Sequence, residues 1–217
     1  MKKIILFDMD GTLIDSASGI YESFEAVFKA NNMKLPKREE ISKYIGYTLQ
    51  DMFAFLGVNR ELVEQFSEEY KNYYVNICKQ ETKMLPNAIN SIKLAYSFAT
   101  LGIVTTKTSA TSKKILAHFD VEKYFTTIIG REDVTQTKPD KEPILKAINN
   151  INKSGIYTEN NNIFIIGDTI LDLIAAQNAG INGIGVLCGF GEERHLREHS
   201  NVVVQDSLSA VKYIQTL

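Results

Sequence analysis

Asp8 and Asp10 stand one residue apart directly after an apolar run, Ile4-Ile5-Leu6-Phe7, and are followed by Gly11, Thr12 and a third acid, Asp15. The run does not alternate between apolar and polar positions, so it suits a strand buried on both faces of a parallel sheet. Carboxylates are costly to bury unless paired or bound to a metal, which puts both aspartates where the strand leaves the sheet. Gly11 lets the backbone turn there and approach a ligand. Two carboxylates this close repel, and a divalent cation is the natural way to hold them together. Oxygen ligands favour Mg²⁺ over a softer metal. One acid is then available as a nucleophile, shielded by the ion from a phosphate's charge, and the other to handle protons. The bland alternative makes Asp and Gly turn formers and nothing more.

Ligands of open α/β sheets bind beyond the C-terminal ends of the strands, where strand order reverses, and further candidates satisfy that rule. The segment LGIVTTKT ends in Thr105, Thr106 and Lys107, where a hydroxyl and nearby amides could hold phosphate oxygens. Pro139 restricts Lys138 to an extended backbone and so aims its ammonium, a point charge suited to a carboxylate nucleophile and a phosphate oxygen. The segment IFIIG ends in Gly167 and Asp168, and Asp172 follows near the start of a helix. Asp168 is placed to complete a magnesium site with Asp8; its plain alternative is a helix N-cap.

DMDGTLID at 8–15 resembles the first motif of the haloacid dehalogenase superfamily, in its phosphatase branch. Thr105 resembles the second motif, with Thr106 where phosphoglycolate phosphatase-type members often carry Asn. TKPDKEP resembles the third, with Lys141 where another proline is common, and GDTILD the fourth, the likeness running on through AAQNAG at 175–180. The resemblance implies that Asp8 attacks phosphorus to give an aspartyl-phosphate, while Asp10 protonates the leaving oxygen and then activates water. It implies Mg²⁺ on Asp8, Asp10 through its backbone carbonyl, and Asp168, with Asp172 in support through water or a lysine. Thr105 and Lys138 would stabilise the transferring phosphoryl group, Thr12 would orient Asp10, and Gly11, Thr12, Thr106 and Lys107 would meet the substrate.

The elements that must position these groups fall into two patterns. Residues 16–80 hold no convincing strand and one proline, Pro36. Ile20, Phe24, Val27 and Phe28 recur at helical spacing, as do Leu62, Phe66, Tyr70, Tyr73, Tyr74 and Ile77, with shorter helices expected at 38–45 and 48–56. The aromatic stripe reads as helix packing rather than a base-stacking platform. From residue 86 the pattern becomes βα alternation, with strands expected at 101–105, 126–130, 163–167, 183–187 and 202–204 and helices at 87–97, 109–118, 140–152 and 170–178. The expected fold is α/β: a doubly wound, Rossmann-like parallel-sheet core, residues 1–15 and 81–217, with an inserted α-helical cap, residues 16–80. The crossings at 13–16 and 80–86 are candidate hinges. Asn149–Asn162 reads as a surface loop, and Gly189 and Gly191 as a loop after the fifth strand. In the cap, YIGYTLQDMF interrupts helical periodicity, and its Gly46, Tyr47, Thr48 and Gln50 are candidates for reading the leaving group. His118, His195 and His199 follow no ligand or nucleophile spacing and read as structural or exposed.

A chain of 217 residues with 44% hydrophobic content can bury a large core, and a net charge of −2 gives no basic field for nucleic acid. No segment approaches a membrane span, and Asp8 ends the first apolar run too early for a signal peptide. Cys78 and Cys188 lack metal-ligand spacing and read as free thiols in a reducing cytoplasm. The expected partner is a small phosphorylated metabolite, with monomer and homodimer both open. The leading expectation is an Mg²⁺-dependent phosphatase of the phosphoglycolate phosphatase type. β-Phosphoglucomutase and inorganic pyrophosphatase are alternatives; the former type commonly has an arginine soon after the cap glycine, and Tyr47 to Asp51 contains none. A non-catalytic phosphate-binding module would be expected to have lost Asp8 or Asp10.

Overall fold

The computed structural model describes residues 2–217. Strand β1 (Lys3–Phe7) sits inside a six-stranded sheet between β4 (Ala99–Val104) and β6 (Ile163–Gly167). With β5 (Phe125–Ile129), β7 (Asn182–Val186) and β8 (Val203–Val204) the order is β5-β4-β1-β6-β7-β8. Every pairing is parallel; Ile4 lies opposite Thr100 on one side and Ile163 on the other. The chain builds outward from β1 to β5, then returns to β6, so strand order reverses between β1 and β6. The expected doubly wound core is present.

The absence of alternation in the first strand now has its cause. Ile5 and Phe7 pack into one layer, with α5 (Ala88–Tyr96), α6 (Ser109–His118) and α10 (Ser207–Thr216). Ile4 and Leu6 pack into the opposite layer, with α7 (Glu142–Lys153) and α8 (Ile170–Ala179). All four side chains are fully buried.

Between β1 and β4 the chain forms α1 (Ala17–Ala30), α2 (Arg38–Ser42), α3 (Leu49–Phe55) and α4 (Val63–Ile77). An aromatic cluster holds this insert together: the Phe53 ring lies 4.7 Å from Phe24, 5.6 Å from Phe66 and 6.2 Å from both Phe28 and Tyr70. The stripe at 66–77 is helix packing, as expected, with Phe66, Tyr70 and Tyr74 buried. The crossings run side by side as a short antiparallel ribbon, β2 (Ile14–Asp15) against β3 (Lys83–Met84), which ties both ends of the insert together.

Several boundaries differ from expectation. Asn149–Lys153 is the last turn of α7, as the helix expected over 140–152 has it and not as the loop expected from Asn149 has it, because Ile151 is fully buried under the sheet. Two helices went unanticipated, α9 (Glu193–His199) and α10. The signal for α10 was present: Asp206 accepts from the Ser209 amide at 2.8 Å as an N-cap, and Ala210, Val211 and Ile214 recur at helical spacing. No helix among the described residues is long and apolar enough to cross a membrane. Cys78 and Cys188 are free thiols.

Phe53 contacts four other rings and has no solvent exposure. Phe53→Ala is therefore expected to lower the unfolding free energy by about 3–5 kcal/mol, measured by urea denaturation followed by circular dichroism.

Candidate active site

Asp8 and Asp168 are the first residues past β1 and β6, the two strands that flank the reversal of strand order. The Asp8 amide still donates to the Ile166 carbonyl at 2.9 Å, so sheet pairing fixes its backbone. Asp172 lies in the first turn of α8, and its Oδ2 accepts from the Thr169 hydroxyl at 2.9 Å and the Thr169 amide at 3.2 Å. Thr169, not Asp168, is thus the N-cap of α8, and the plain alternative for Asp168 falls away.

Lys138 joins two of these acids. Its Nζ lies 2.9 Å from Asp8 Oδ1 and 2.6 Å from Asp172 Oδ1, and donates to the Val104 carbonyl at 3.0 Å. An ammonium has three protons, and all three are engaged. Asp168 is satisfied separately: the Thr12 hydroxyl donates to Oδ1 at 2.9 Å and the Phe190 amide to Oδ2 at 2.8 Å. A Cβ on Gly189 would come within 2.1 Å of Asp168 Oδ2, one on Gly191 within 2.0 Å of the Asp168 carbonyl oxygen, and one on Gly11 within 2.2 Å of Asp168 Oδ2. The Gly-x-Gly that read only as a loop is a backbone cradle for Asp168. Its signal was the pair of glycines itself, but nothing local named the carboxylate they approach.

Asp8, Asp168 and Asp172 each present a carboxylate oxygen within 4.8 Å of the others. Three buried acids face one ammonium, so their charge is not balanced by side chains. Burial pushes the Asp8 carboxyl up to about 7, with Asp172 and Asp10 adding to the rise and Lys138 opposing it. Burial, Asp8 and Asp172 raise Asp168 well above the ordinary carboxylate range, against the Phe190 and Thr12 hydrogen bonds. Burial works against the charge on Lys138, yet Asp172 and Asp8 more than offset it and keep the ammonium protonated. An all-oxygen, buried donor set with surplus negative charge fits a hard divalent cation such as Mg²⁺.

Asp10 belongs to a different environment. Its Oδ1 accepts from the Ser16 hydroxyl, and its Oδ2 lies 3.2 Å from Lys107 Nζ. Lys107 also donates to the Tyr74 hydroxyl at 3.1 Å and sits 4.5 Å from the Tyr74 ring centroid. The Asp10 carboxylate is therefore not part of the three-acid group; the expectation put Asp10 at the metal through its backbone carbonyl, not through this carboxylate. Thr12 does not orient Asp10 as expected; its hydroxyl is spent on Asp168, and Ser16, not among the expected site residues, holds Asp10.

The remaining candidates divide. Tyr47, Gln50, Thr106, Lys107 and Asp10 line one cleft of about 370 Å³ between the insert and the sheet edge. Gly11 and Thr12 do not line it; both are buried behind Asp168. Thr106 donates to the Gly46 carbonyl at 3.0 Å, a bond from core to insert, and Gly46 at φ +108° allows that approach. Thr48 is the N-cap of α3, accepting from the Asp51 amide at 3.2 Å, which explains its place without a ligand. Thr105 is buried at the end of β4, its hydroxyl accepting from the Lys107 amide at 3.3 Å. His118 and His195 are exposed, and neither they nor His199 enter the site.

Residues 5–186 match the haloacid dehalogenase-like hydrolase family. The chain belongs to that family. It is 33% identical over 187 residues to a Clostridium perfringens protein provisionally named pyrophosphatase PpaX, covering 86% of this chain and 84% of that one. It is 30% identical over 193 residues to the phosphoglycolate phosphatase of Aquifex aeolicus, covering 87% and 86%. The solved structure of a haloacid dehalogenase-like family hydrolase from Streptococcus pneumoniae superposes with a TM-score of 0.87 at 26% identity, over 99% of each chain. The expected class, a phosphatase enzyme of this family, stands.

A carboxyl whose pKa is higher folded than unfolded binds its proton more tightly in the folded chain. In metal-free protein Asp8 accordingly contributes stability that is full below pH 3.8 and is lost as the pH rises to about 7. Denaturation in EDTA across pH 5 to 7.5 should show stability falling with pH, by a smaller slope in Asp8→Asn. Excess Mg²⁺ should raise the melting temperature near pH 7.5 in the native chain, and far less in Asp168→Ala.

Proposed function

We propose that this chain is an Mg²⁺-dependent phosphatase that hydrolyses a small phosphorylated metabolite through an aspartyl-phosphate. The observation that carries the reading is the division of two acids separated by a single residue into different settings, one on a fixed ammonium among buried carboxylates, the other on the wall of the cleft. Such a division is how one site runs nucleophilic and proton-transfer chemistry together.

Lys138 holds Asp8 by Oδ1 and favours its ionised form against the effect of burial, which leaves Oδ2 to attack phosphorus. As that bond forms, the bond from phosphorus to the ester oxygen breaks, and Asp10 gives its proton to the departing oxygen. Asp10 then takes a proton from water, whose oxygen attacks the phosphorus of the aspartyl-phosphate and releases phosphate and Asp8. Asp8 and Asp168, with Asp172 in support, would hold Mg²⁺, which when bound neutralises the charge of the phosphoryl oxygens. The Thr105 hydroxyl and the amides beyond β4 are placed to orient that group. Lys138 acts as a fixed charge rather than a mobile phosphate ligand, since its protons are already committed.

The insert covers the site. Besides the Thr106–Gly46 and Lys107–Tyr74 bonds, Lys114 on α6 donates to the Val75 carbonyl at 2.6 Å. These contacts exclude water from the reacting groups and bring Tyr47 and Gln50 to the leaving group. Pyrophosphate hydrolysis is a second reading, supported by the names of the pyrophosphatase relatives.

Asp8→Asn removes the nucleophile at nearly constant volume. Phosphate release in Mg²⁺ is expected to fall by about a thousandfold or more, with the folded state retained in a thermal melt. An Asp8→Asn protein that still turned over would overturn the covalent route.

A further inference from the structure

The reaction fixes what happens at phosphorus, whereas the cleft beyond Asp10 meets the leaving group. Among the residues that line it, only Gly46, Leu49, Met52 and Val75 lack a polar side-chain group. Three cations stand on its walls, and they differ in what faces them. Lys71 pairs with Glu68, and Lys107 pairs with Asp10 at 3.2 Å and rests on the Tyr74 ring. Arg131 has no carboxylate at ion-pair distance among the described residues. Glu132, beside it on the same wall, is committed to the Ser109 hydroxyl and to the Ser109 and Ala110 amides at the start of α6. The Glu142 carboxyl, held below its ordinary range first by the Thr135 and Gln136 amides and least by Arg131, has its oxygens on those two amides.

The backbone places Arg131 firmly. Gly130, the first residue past β5, presses on the loop after β4: a Cβ there would come within 2.1 Å of the Ser109 amide nitrogen and 2.7 Å of the Lys107 carbonyl oxygen. The Arg131 amide donates to that carbonyl at 3.0 Å, and the Gly130 amide to Asp133 Oδ2 at 2.8 Å. The guanidinium itself is anchored by one bond, from Nη1 to the Val134 carbonyl at 3.2 Å. Its Nε is enclosed and has no acceptor. A buried donor without a partner is costly, and a guanidinium is well suited to give two parallel N–H bonds to a carboxylate or phosphate. Nε together with Nη2 forms a fork of that kind.

We propose that Arg131 is a specificity-determining residue that binds an oxyanion, carboxylate or phosphoryl, carried by the leaving group. This rests on the phosphatase reading above and narrows its substrate class to esters that bear a second anionic group. Pivoting about its bond to Val134, the guanidinium presents its Nε edge to the cleft that it lines. The span from Asp10 to Arg131, both on the one cleft of about 370 Å³, sets the chain length between the ester oxygen and that anion.

The test measures kcat/KM in Mg²⁺ for phosphate esters of two-carbon and four-carbon alcohols ending in a carboxylate, a second phosphate or a neutral hydroxyl, from phosphoglycolate and 2-hydroxyethyl phosphate upward. All release alkoxides, so at one chain length the ratio of charged to neutral ester reads the remote group. Acetyl phosphate reports the chemistry without a remote anion. In the native chain at least one charged ester should exceed its neutral counterpart by about tenfold or more, and whichever of carboxylate and phosphate has the larger ratio names the source of the oxyanion. Arg131→Gln should bring that ratio to about twofold or less through KM, and Arg131→Lys, which keeps the charge and loses the fork, should fall between. Glu132→Gln, at an exposed position, removes a negative charge from the same wall and should raise the ratio. No preference for charge at either length in the native chain, or a preference unmoved by a folded Arg131→Gln, would overturn the proposal. Were Arg131→Gln to show no folded melt, a preference unmoved by both Arg131→Lys and Glu132→Gln would overturn it instead. Turnover of acetyl phosphate in those cases leaves the phosphatase reading standing; no turnover of any ester or of acetyl phosphate would remove both.

Discussion

Everything at the sheet edge is organised around one electrostatic constraint: three buried carboxylates share a single ammonium. Asp8, Asp168 and Asp172 cannot all be charged in a dry site without compensation, and each is met in its own way. Asp8 has Lys138, Asp172 has Lys138 and the first turn of α8, and Asp168 has the Thr12 hydroxyl and the Phe190 amide. The glycines follow from the same constraint. Gly11, Gly189 and Gly191 surround Asp168 so closely that a methyl group on any of them would collide with it, so the loop after β7 can reach the end of β6 only with small residues.

A second constraint sets Asp10 apart. Its partners, Ser16 and Lys107, come from opposite sides of the molecule: Ser16 immediately precedes α1, at the entry to the insert, and Lys107 leaves the sheet after β4. Lys107 in turn rests on Tyr74 of α4. The environment of the proton-handling acid is therefore built jointly by core and insert, whereas that of Asp8 is built by the sheet edge alone. Packing the insert against the core and setting the surroundings of Asp10 are one structural event, and the ribbon between β2 and β3 keeps that arrangement in register.

The sequence disclosed the acids because their positions conflict with their surroundings. An apolar run ending in Asp-x-Asp-Gly, and a second ending in Gly-Asp, have few physical readings other than strand ends that bear chemistry. Lys138 and Asp172 were legible for the same reason. What sequence could not resolve was which partner each group chooses. Thr12 and Ser16 are hydroxyls four residues apart, both near Asp10 along the chain, and only the turn at Gly11 decides that Thr12 faces Asp168 while Ser16 faces Asp10. Thr48 looked like a ligand group and is a helix cap, since Thr serves both uses with the same local pattern. The Gly189–Gly191 cradle was invisible for a longer-range reason: its target lies some twenty residues away, on a neighbouring strand.

The division between sheet and insert also accounts for the mixed names of the relatives. Proteins called pyrophosphatase and phosphoglycolate phosphatase match this chain across most of its length, and their substrates share only the phosphoryl group. The strand ends act on that shared part, and their residues are fixed by charge balance and close packing, which leave little room to vary. The cleft is under no such constraint. Its walls come largely from α3, α4 and the turn at Gly46, elements whose inner faces must pack but whose cleft-facing side chains, Tyr74 apart, can change without disturbing the acids. Similarity across the whole chain thus reports the chemistry faithfully and the leaving group poorly.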